Sequence, residues 1–579
     1  MPQPDLPQFD RDLLRSGATL SRIGTGAIGG KAQGLVLARD ILEATFGGEA
    51  GAGVEVVVPR LIVVATDVFD AFVERNELGD LADSDLPDER IAHAFQQADL
   101  PEEMLGDLRT LTDGLRVPLA VRSSSLLEDA LRRPFAGVYG TKMTPNNQAE
   151  GSARFRRLVE AVKFVYASTF FRSARAYRRA TEQPADAEKM AVVIQEVVGV
   201  QHGDRFYPDL SGVGRSFNYY PSGSAQRAEG VVQLALGLGK TIVDGGVCWS
   251  YSPARPKSPP PFASTADLLA NTQTEFWAVN VGKAPPFDPI AETEYLVRGG
   301  LADAEYDNTL RHLASTYLAE SDRLSPGVGA AGPRIVNFAP LLVLEEYPLN
   351  RLLGPLLAAC RERVGCDVEI EFAATFPRGE DASLRLGFLQ VRPMAVSDEA
   401  VDISDAELAA PSVLLASEQV MGNGTVTGLV DVVYVKPGTF ETRHTKAIAQ
   451  QLEQVNTALA DEGRPYLLIG FGRWGSADPW LGIPVTWGQI SGARAIVEAT
   501  RPDMWVEASQ GSHFFHNISS FQVSYFAVPH EGGRGIDWAW LDGEPAVLET
   551  EHVRWARAAE PLSLKVDGRT GRGAVWRGG

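Results

Sequence analysis

The chain has 579 residues, with 54 basic against 74 acidic and a net charge of −20. That balance argues against nucleic acid or an anionic membrane as the main partner. With 44% hydrophobic and 22% charged residues, the composition is that of an ordinary globular protein of about three or four domains. Cys248, Cys360 and Cys366 form an odd, sparse set without a C-x-x-C pair, which points to a reducing, cytoplasmic setting. No signal-peptide pattern opens the sequence, and no uncharged apolar run approaches the ~18 residues of a membrane span.

In chain order, the segment "GKAQGLVLARDILEATF" has helical periodicity. "GVEVVVPRLIVVAT" is β-branched and apolar, which predicts a buried strand. "DVFDAFVERNEL" opens with an aspartate suited to capping a helix. "VPLAVRSSS" is a short apolar strand that ends in polar residues, and residues 151 to 182 form a basic amphipathic helical region whose arginines read as a solvated face. "MAVVIQEVVGV" predicts a strand, residues 252 to 290 a long Pro/Ser-rich loop or lid, and "PLNRLLGPLLAACRERVG" a helix. "DVEIEFAATF" and "LRLGFLQVRP" pair as a hairpin; residues 395 to 412 read as a linker, and the rest as a separate mixed α/β unit.

Three loops are candidates for holding phosphate. Gly24, Gly26 and Gly29 have the G-x-G-x-x-G spacing of a dinucleotide fingerprint, but no clear strand precedes them and Asp40 and Glu43 come too early for the ribose-binding acid. "LGLGKT" is short of a P-loop, because Leu234 stands where the first glycine is needed. Gly29-Gly30-Lys31 instead reads as a turn that lets the backbone come close to a ligand and presents a lysine as a point charge. The sharpest constellation is "AVRSSSLLEDALRRPFAGVYGTKM". A buried strand ends on Arg122, whose forked donors suit a phosphate. Ser123, Ser124 and Ser125 follow, and then a glycine turn able to close over a nucleotide. The competing reading is a structural pair of Arg122 with Glu128 or Asp129.

"GGKAQGL", "VRSSSLLED…FAGVYGT", "VIQEVV", "LGLGK…DGG" and "EIEF…LQVRPM" occur in this order over residues 15 to 396. In that order they resemble the ATP-binding domain of pyruvate phosphate dikinase and phosphoenolpyruvate synthase. The resemblance implies an α/β (α+β) fold, ATP-grasp-like, with two subdomains over residues 1–200 and 201–398. A C-terminal mixed α/β domain would follow over 399–579. It further implies that Lys31 and Arg122 hold the ATP phosphates and that Gln195, Glu196 and Val197 line the adenine and ribose pocket. Glu371 and Gln390 would reach Mg2+ and the phosphates, and Arg392 would contact the transferring phosphate. Oxygen donors on neighbouring strands suit Mg2+, and the two-residue strand period puts Glu369 on the side of Glu371 as a secondary ligand. Lys240 departs from the family, which carries an acid after "GLG".

About 185 residues follow Met394, too few for the ~250 of a pyruvate-binding barrel beside anything else. "MGNGTVTGLVDVVYVKP" resembles the opening strand of the family's swivelling phosphohistidine domain, and His513 in "GSHFFHN" is the candidate carrier, with His516 behind it. Arg473, Ser476 and Asp478 lie in a Gly/Trp/Pro run, "GFGRWGSADPWLGIPVTW", which reads either as an aromatic-walled anion pocket or as a packing loop. The expected activity is Mg-ATP-dependent phosphoryl transfer to a small-molecule acceptor the sequence does not name. An ATP-binding regulatory module and an ATP-grasp ligase working through an acyl phosphate are the alternatives.

Overall fold

The computed structural model describes residues 6–578 apart from 11, 14–18, 48–53, 126–127, 129–137, 181–187, 222–223, 259–264, 379–382, 395–400, 477, 479, 503–517, 519–522 and 531–534. The fold is mixed α/β. Its first sheet has the order Leu20–Ile23, Leu61–Val64, Met190–Glu196, Leu119–Ser125, Thr141–Thr144. The central strands Leu61–Val64 and Met190–Glu196 are apolar throughout or up to their last two residues, because both faces are covered. Ile62, Val64, Val192 and Ile194 pack with Phe69, Phe72, Phe95 and Tyr166 on one side. Leu61, Val63, Ala191 and Val193 pack under Ala32, Leu35 and Val36 of helix Gly29–Phe46 on the other.

The second sheet runs Trp249–Tyr251, Val231–Leu236, Leu210–Arg215, Val368–Thr375, Leu384–Pro393, Val54–Val57. Its last strand comes from the N-terminal part of the chain and pairs in parallel with Leu384–Gly387. The apolar run around Val57 therefore makes two strands in two sheets rather than one. Pro59, which has no N–H to give to a ladder, separates them. The expected hairpin is present, with Glu369 opposite Arg392, Glu371 opposite Gln390, and a bulge after Glu371. Helix Leu349–Val364 covers this sheet through Leu353, Leu356, Leu357 and Cys360, and burial pushes the Cys360 thiol up to about 12.

Three further expectations change. The helix after the second apolar strand is Thr66–Arg75, and no side chain caps it. Asp67 lies inside its first turn and accepts hydrogen bonds from the Thr25 N–H and hydroxyl at 2.8 and 2.9 Å. The basic region forms two helices, Gly151–Ser168 and Arg172–Ala180, in which Arg154, Arg175 and Arg178 are buried, not solvated. They donate to carbonyl oxygens, as Arg154 does to Gln148 at 2.6 Å, so each guanidinium ties a helix to a loop. The Pro/Ser-rich stretch holds helix Thr265–Ala270 and strand Glu275–Asn280, the latter in a four-stranded sheet with Leu296–Gly300, Arg205–Tyr207 and Val200–His202.

Residues 413–577 carry a nine-stranded mixed sheet. The Gly-rich run predicted as a strand is Asn423–Val435, and helix Thr445–Asp461 crosses from it to the parallel strand Tyr466–Phe471. Val433, Leu452, Leu468, Trp474 and Trp487 from this part belong to the same apolar cluster as Phe69, Phe95 and Tyr166. The C-terminal sheet is thus packed firmly against the helices of the first one. No helix among the described residues is long and apolar enough to cross a membrane.

Candidate active site

Gly29 sets the first wall. Its φ is +75°, and a Cβ there would lie 1.7 Å from the carbonyl oxygen of Ser124. Only glycine lets the helix start approach the end of strand Leu119–Ser125 so closely. The Ser124 hydroxyl fastens the contact, donating to the Ile28 carbonyl at 2.8 Å and accepting from the Ala32 N–H at 3.0 Å. Lys31, in the first helical turn, is thereby aimed inward. Its Nζ meets Glu128 Oε1 at 2.9 Å, both side chains being almost fully buried. Glu128 also accepts from the Ser123 hydroxyl at 3.2 Å and the Ser125 N–H at 3.3 Å. Beyond it lies Glu188, whose carboxyl burial pushes up to about 7, with Glu128 adding to the rise.

Strand alternation turns Ala120 and Arg122 to one side. Arg122 Nη2 donates to Gln390 Oε1 at 2.8 Å and to Glu371 Oε2 at 3.2 Å; its Nη1 donates to the Leu389 carbonyl at 3.0 Å. The structural partner of Arg122 is Glu371, while Glu128 takes Lys31. Arg392 donates from Nε to Glu369 Oε1 at 2.8 Å, and Arg215 Nε reaches Glu369 Oε2 at 2.6 Å.

These groups surround one cavity of about 300 Å3. Lys31, Arg122, Gln195, Glu196, Val197, Lys240, Glu371, Gln390 and Arg392 all line it. Glu369 is not among the lining residues. It is 2% exposed and clamped between two arginines, each on a different oxygen. His513 and His516 lie outside the described residues. Arg473 binds the backbone of the loop after Lys240 instead of forming an anion pocket. Trp474 and Trp487 near it are buried, and Trp480 is 69% exposed.

Two acids in the cavity were not singled out from the sequence, Asp244, which stands in the quoted "DGG", and Glu292. Lys240 and Asp244 pair at 2.9 Å one helical turn apart. Burial would lower the Lys240 ammonium, but Asp244 and Glu292 outweigh it and hold the group above its ordinary value. Glu292, held by the Thr141 N–H at 3.0 Å, has its carboxyl raised by desolvation and by the nearby Asp244 charge, against the pull of Lys240 and that N–H. Aspartate four residues after a helical lysine is a legible pair. Glu292 arrives from a loop, which periodicity does not place.

On the side of the cavity lined by Gln195, Glu196 and Val197, the Glu196 and Val197 N–H groups are already given to the Arg60 and Pro118 carbonyls. The Gln195 side chain is 2% exposed, accepts from Arg122 Nη1 at 3.4 Å, and has no hydrogen-bond acceptor for its Nε2 among the described residues. A buried donor facing a cavity without a protein partner suits a ligand acceptor.

Residues 25–255 match the family model of the pyruvate phosphate dikinase AMP/ATP-binding domain, and over that stretch the chain is similar to this family. The match contains Lys31, Arg122, Gln195, Glu196, Val197 and Lys240; Glu371, Gln390 and Arg392 lie beyond it, on the strands that complete the cavity. No curated protein matches the chain.

Proposed function

We propose that this protein is a Mg-ATP-dependent phosphotransferase whose nucleotide sits in the cavity between residues 1–200 and 201–398, with residues 399–579 as a third unit. The observation that carries the reading is the convergence of four cations from four distant parts of the chain, Lys31, Arg122, Lys240 and Arg392, on one cavity. Each already has a carboxylate partner: Glu128, Asp244 and Glu369 for Lys31, Lys240 and Arg392, and Glu371 for Arg122. Every one of these cations is already paired, so a polyphosphate binds by exchanging partners.

Phosphoryl transfer needs positioned positive charge more than covalent help from the protein. Lys31 serves as a point charge, Arg122 and Arg392 as forked donors. Gln195 orients the base through its buried amide. Glu371 and Gln390 bring two oxygens to the same guanidinium nitrogen, and such a pair of hard oxygen donors suits Mg2+ with phosphate oxygens completing its shell. Bound there, Mg2+ would neutralise charge on the transferring phosphate. Glu369, with both oxygens on arginines, positions Arg392 rather than ligating the metal. His513 would carry phosphate if transfer proceeds by relay to the small-molecule acceptor.

Product analysis with radiolabelled ATP tests the reading. AMP with acid-labile label on the wild type, lost in His513→Ala, marks the relay; ADP marks direct transfer. Tight ATP binding without turnover, with every acceptor tried, would replace the enzyme by a regulatory ATP-binding module. Trapping of an acyl hydroxamate with hydroxylamine would replace it by a ligase.

A further inference from the structure

Within the run "GFGRWGSADPWLGIPVTW", residues 470–476 and 481–483 form a mount for one arginine. Strands Arg473–Trp474 and Gly482–Ile483 pair in parallel, the Arg473 N–H donates to the Leu481 carbonyl at 2.9 Å, and the Gly475 N–H to Ile483 at 2.9 Å. Trp474 is 1% exposed, and its Nε1 donates to the Val497 carbonyl at 3.0 Å. Two glycines permit this packing. A Cβ on Gly470 would stand 2.3 Å from the Trp474 ring, and one on Gly482 1.9 Å from the Arg473 carbonyl oxygen. The backbone and neighbouring side chain of Arg473 are fixed on the C-terminal sheet.

From that mount Arg473 reaches back 228 positions. Its Nη1 donates to the Gly245 carbonyl at 2.7 Å and lies 3.4 Å from that of Gly246. These carbonyls belong to the glycine loop that follows a short helical turn, Lys240–Val243. Gly245 has φ +72° and its N–H bonds Ile242, while the Gly246 N–H bonds Thr241 at 2.8 Å. Carbonyls of a loop outside regular structure still need a donor, and here one guanidinium nitrogen placed between two adjacent carbonyls supplies it. Lys240 and Asp244, on that same turn, line the nucleotide cavity.

We propose that Arg473 is a positioning residue for the ATP site: the C-terminal sheet holds the Lys240–Asp244 wall of the cavity in place through its grip on Gly245 and Gly246. The inference rests on the cavity being an ATP site. It gives the Trp/Gly/Pro run a task in nucleotide binding, performed by a docked sheet.

The test is ATP affinity of the full chain by calorimetry, with melting temperature, for wild type, Arg473→Ala, Arg473→Lys, Lys240→Ala and the Arg473→Ala/Lys240→Ala pair. A shifted wall costs about tenfold in Arg473→Ala, with melting moved by under about 2 °C. Arg473→Lys, which keeps one donor, recovers most of the affinity. The double variant is no weaker than Lys240→Ala, because both act through one element. Unchanged affinity in Arg473→Ala, or losses that add in the double variant, overturns the inference. If Arg473→Ala does not fold, Arg473→Lys against Arg473→Gln decides it: equal affinity of that pair overturns the proposal. Wild type that binds no nucleotide would sink the ATP reading itself, and this inference with it.

Discussion

Arg122 and Glu371, 249 positions apart, meet at 3.2 Å, and the same guanidinium nitrogen takes the Gln390 amide oxygen at 2.8 Å. An arginine from the first sheet thus locks together a cross-strand pair of the second. The cavity between the sheets owes its shape to this link, and the two oxygens owe their convergence to it.

If those oxygens place Mg2+, Glu371→Gln keeps a side chain of the same shape but removes the charge that holds a divalent ion. The Mg2+ concentration for half-maximal ATP turnover should rise at least about tenfold, while melting temperature changes little because the amide still accepts from Arg122. A Mg2+ titration that superimposes on wild type would remove Glu371 from the metal site.

If Lys31 holds phosphate, Glu128, its partner at 2.9 Å, competes for it. Replacing Glu128 by glutamine removes one negative charge beside Lys31 and leaves one oxygen, which can meet the Ser123 hydroxyl or the Ser125 N–H but not both, since the carboxylate takes them on different oxygens. ATP should bind Glu128→Gln about fivefold more tightly, near 1 kcal/mol. Lys31→Ala should abolish turnover and lower stability as well, since it strands a buried carboxylate; breaking a buried pair costs about 3–5 kcal/mol, less here because Glu128 retains its bonds to serine. Calorimetry and melting curves on the two variants read both effects; weaker ATP binding by Glu128→Gln would show that Glu128 aims Lys31 rather than restraining it.

Much of the cavity was legible because its residues occupy fixed places on regular elements. Arg122 stands at the end of a predicted strand and Lys31 behind a glycine pair that opens a helix; Glu371 and Gln390 lie on two strands read as a hairpin, and the family resemblance singled them out. What escaped depends on contacts across the chain. Pro59 sends one apolar run into two sheets. Arg154, Arg175 and Arg178 are drawn inside by carbonyls that local periodicity does not reveal. Glu369 shares a face with Glu371, yet two arginines, one 154 positions away, occupy its oxygens. Glu292 comes from a loop whose course is set by the Thr141 N–H and by Lys142, which holds neighbouring Glu294 at 2.5 Å.

Gly29 gives the sharpest structural prediction. Alanine there combines a positive φ with a methyl 1.7 Å from the Ser124 carbonyl oxygen. The carbonyl is backbone and cannot rotate away, so the helix must withdraw from the strand. Gly29→Ala should cost at least about 3 kcal/mol and weaken ATP binding by displacing Lys31, while Gly30→Ala, at a position without positive φ, should be far milder. Urea unfolding compares them, and equal midpoints would mean the close approach is not maintained in solution.

Glu188 makes the fold sensitive to pH. Burial raises its carboxyl to about 7 from an ordinary 4.5, the neighbouring Glu128 charge adds to this, and Ser125, Tyr139 and Arg178 pull the other way. Between those values the folded chain holds a proton that the unfolded chain has released. Stability from this group is therefore present below about pH 4.5, declines as pH rises towards 7, and stays lower above it. A displacement of that size corresponds to about 3 kcal/mol. Glu188→Gln cannot titrate, so the difference in unfolding free energy, variant minus wild type, should grow by about that amount from pH 5 to pH 8. A difference that stays constant across that range would mean the carboxyl is hydrated in solution and titrates in its ordinary range.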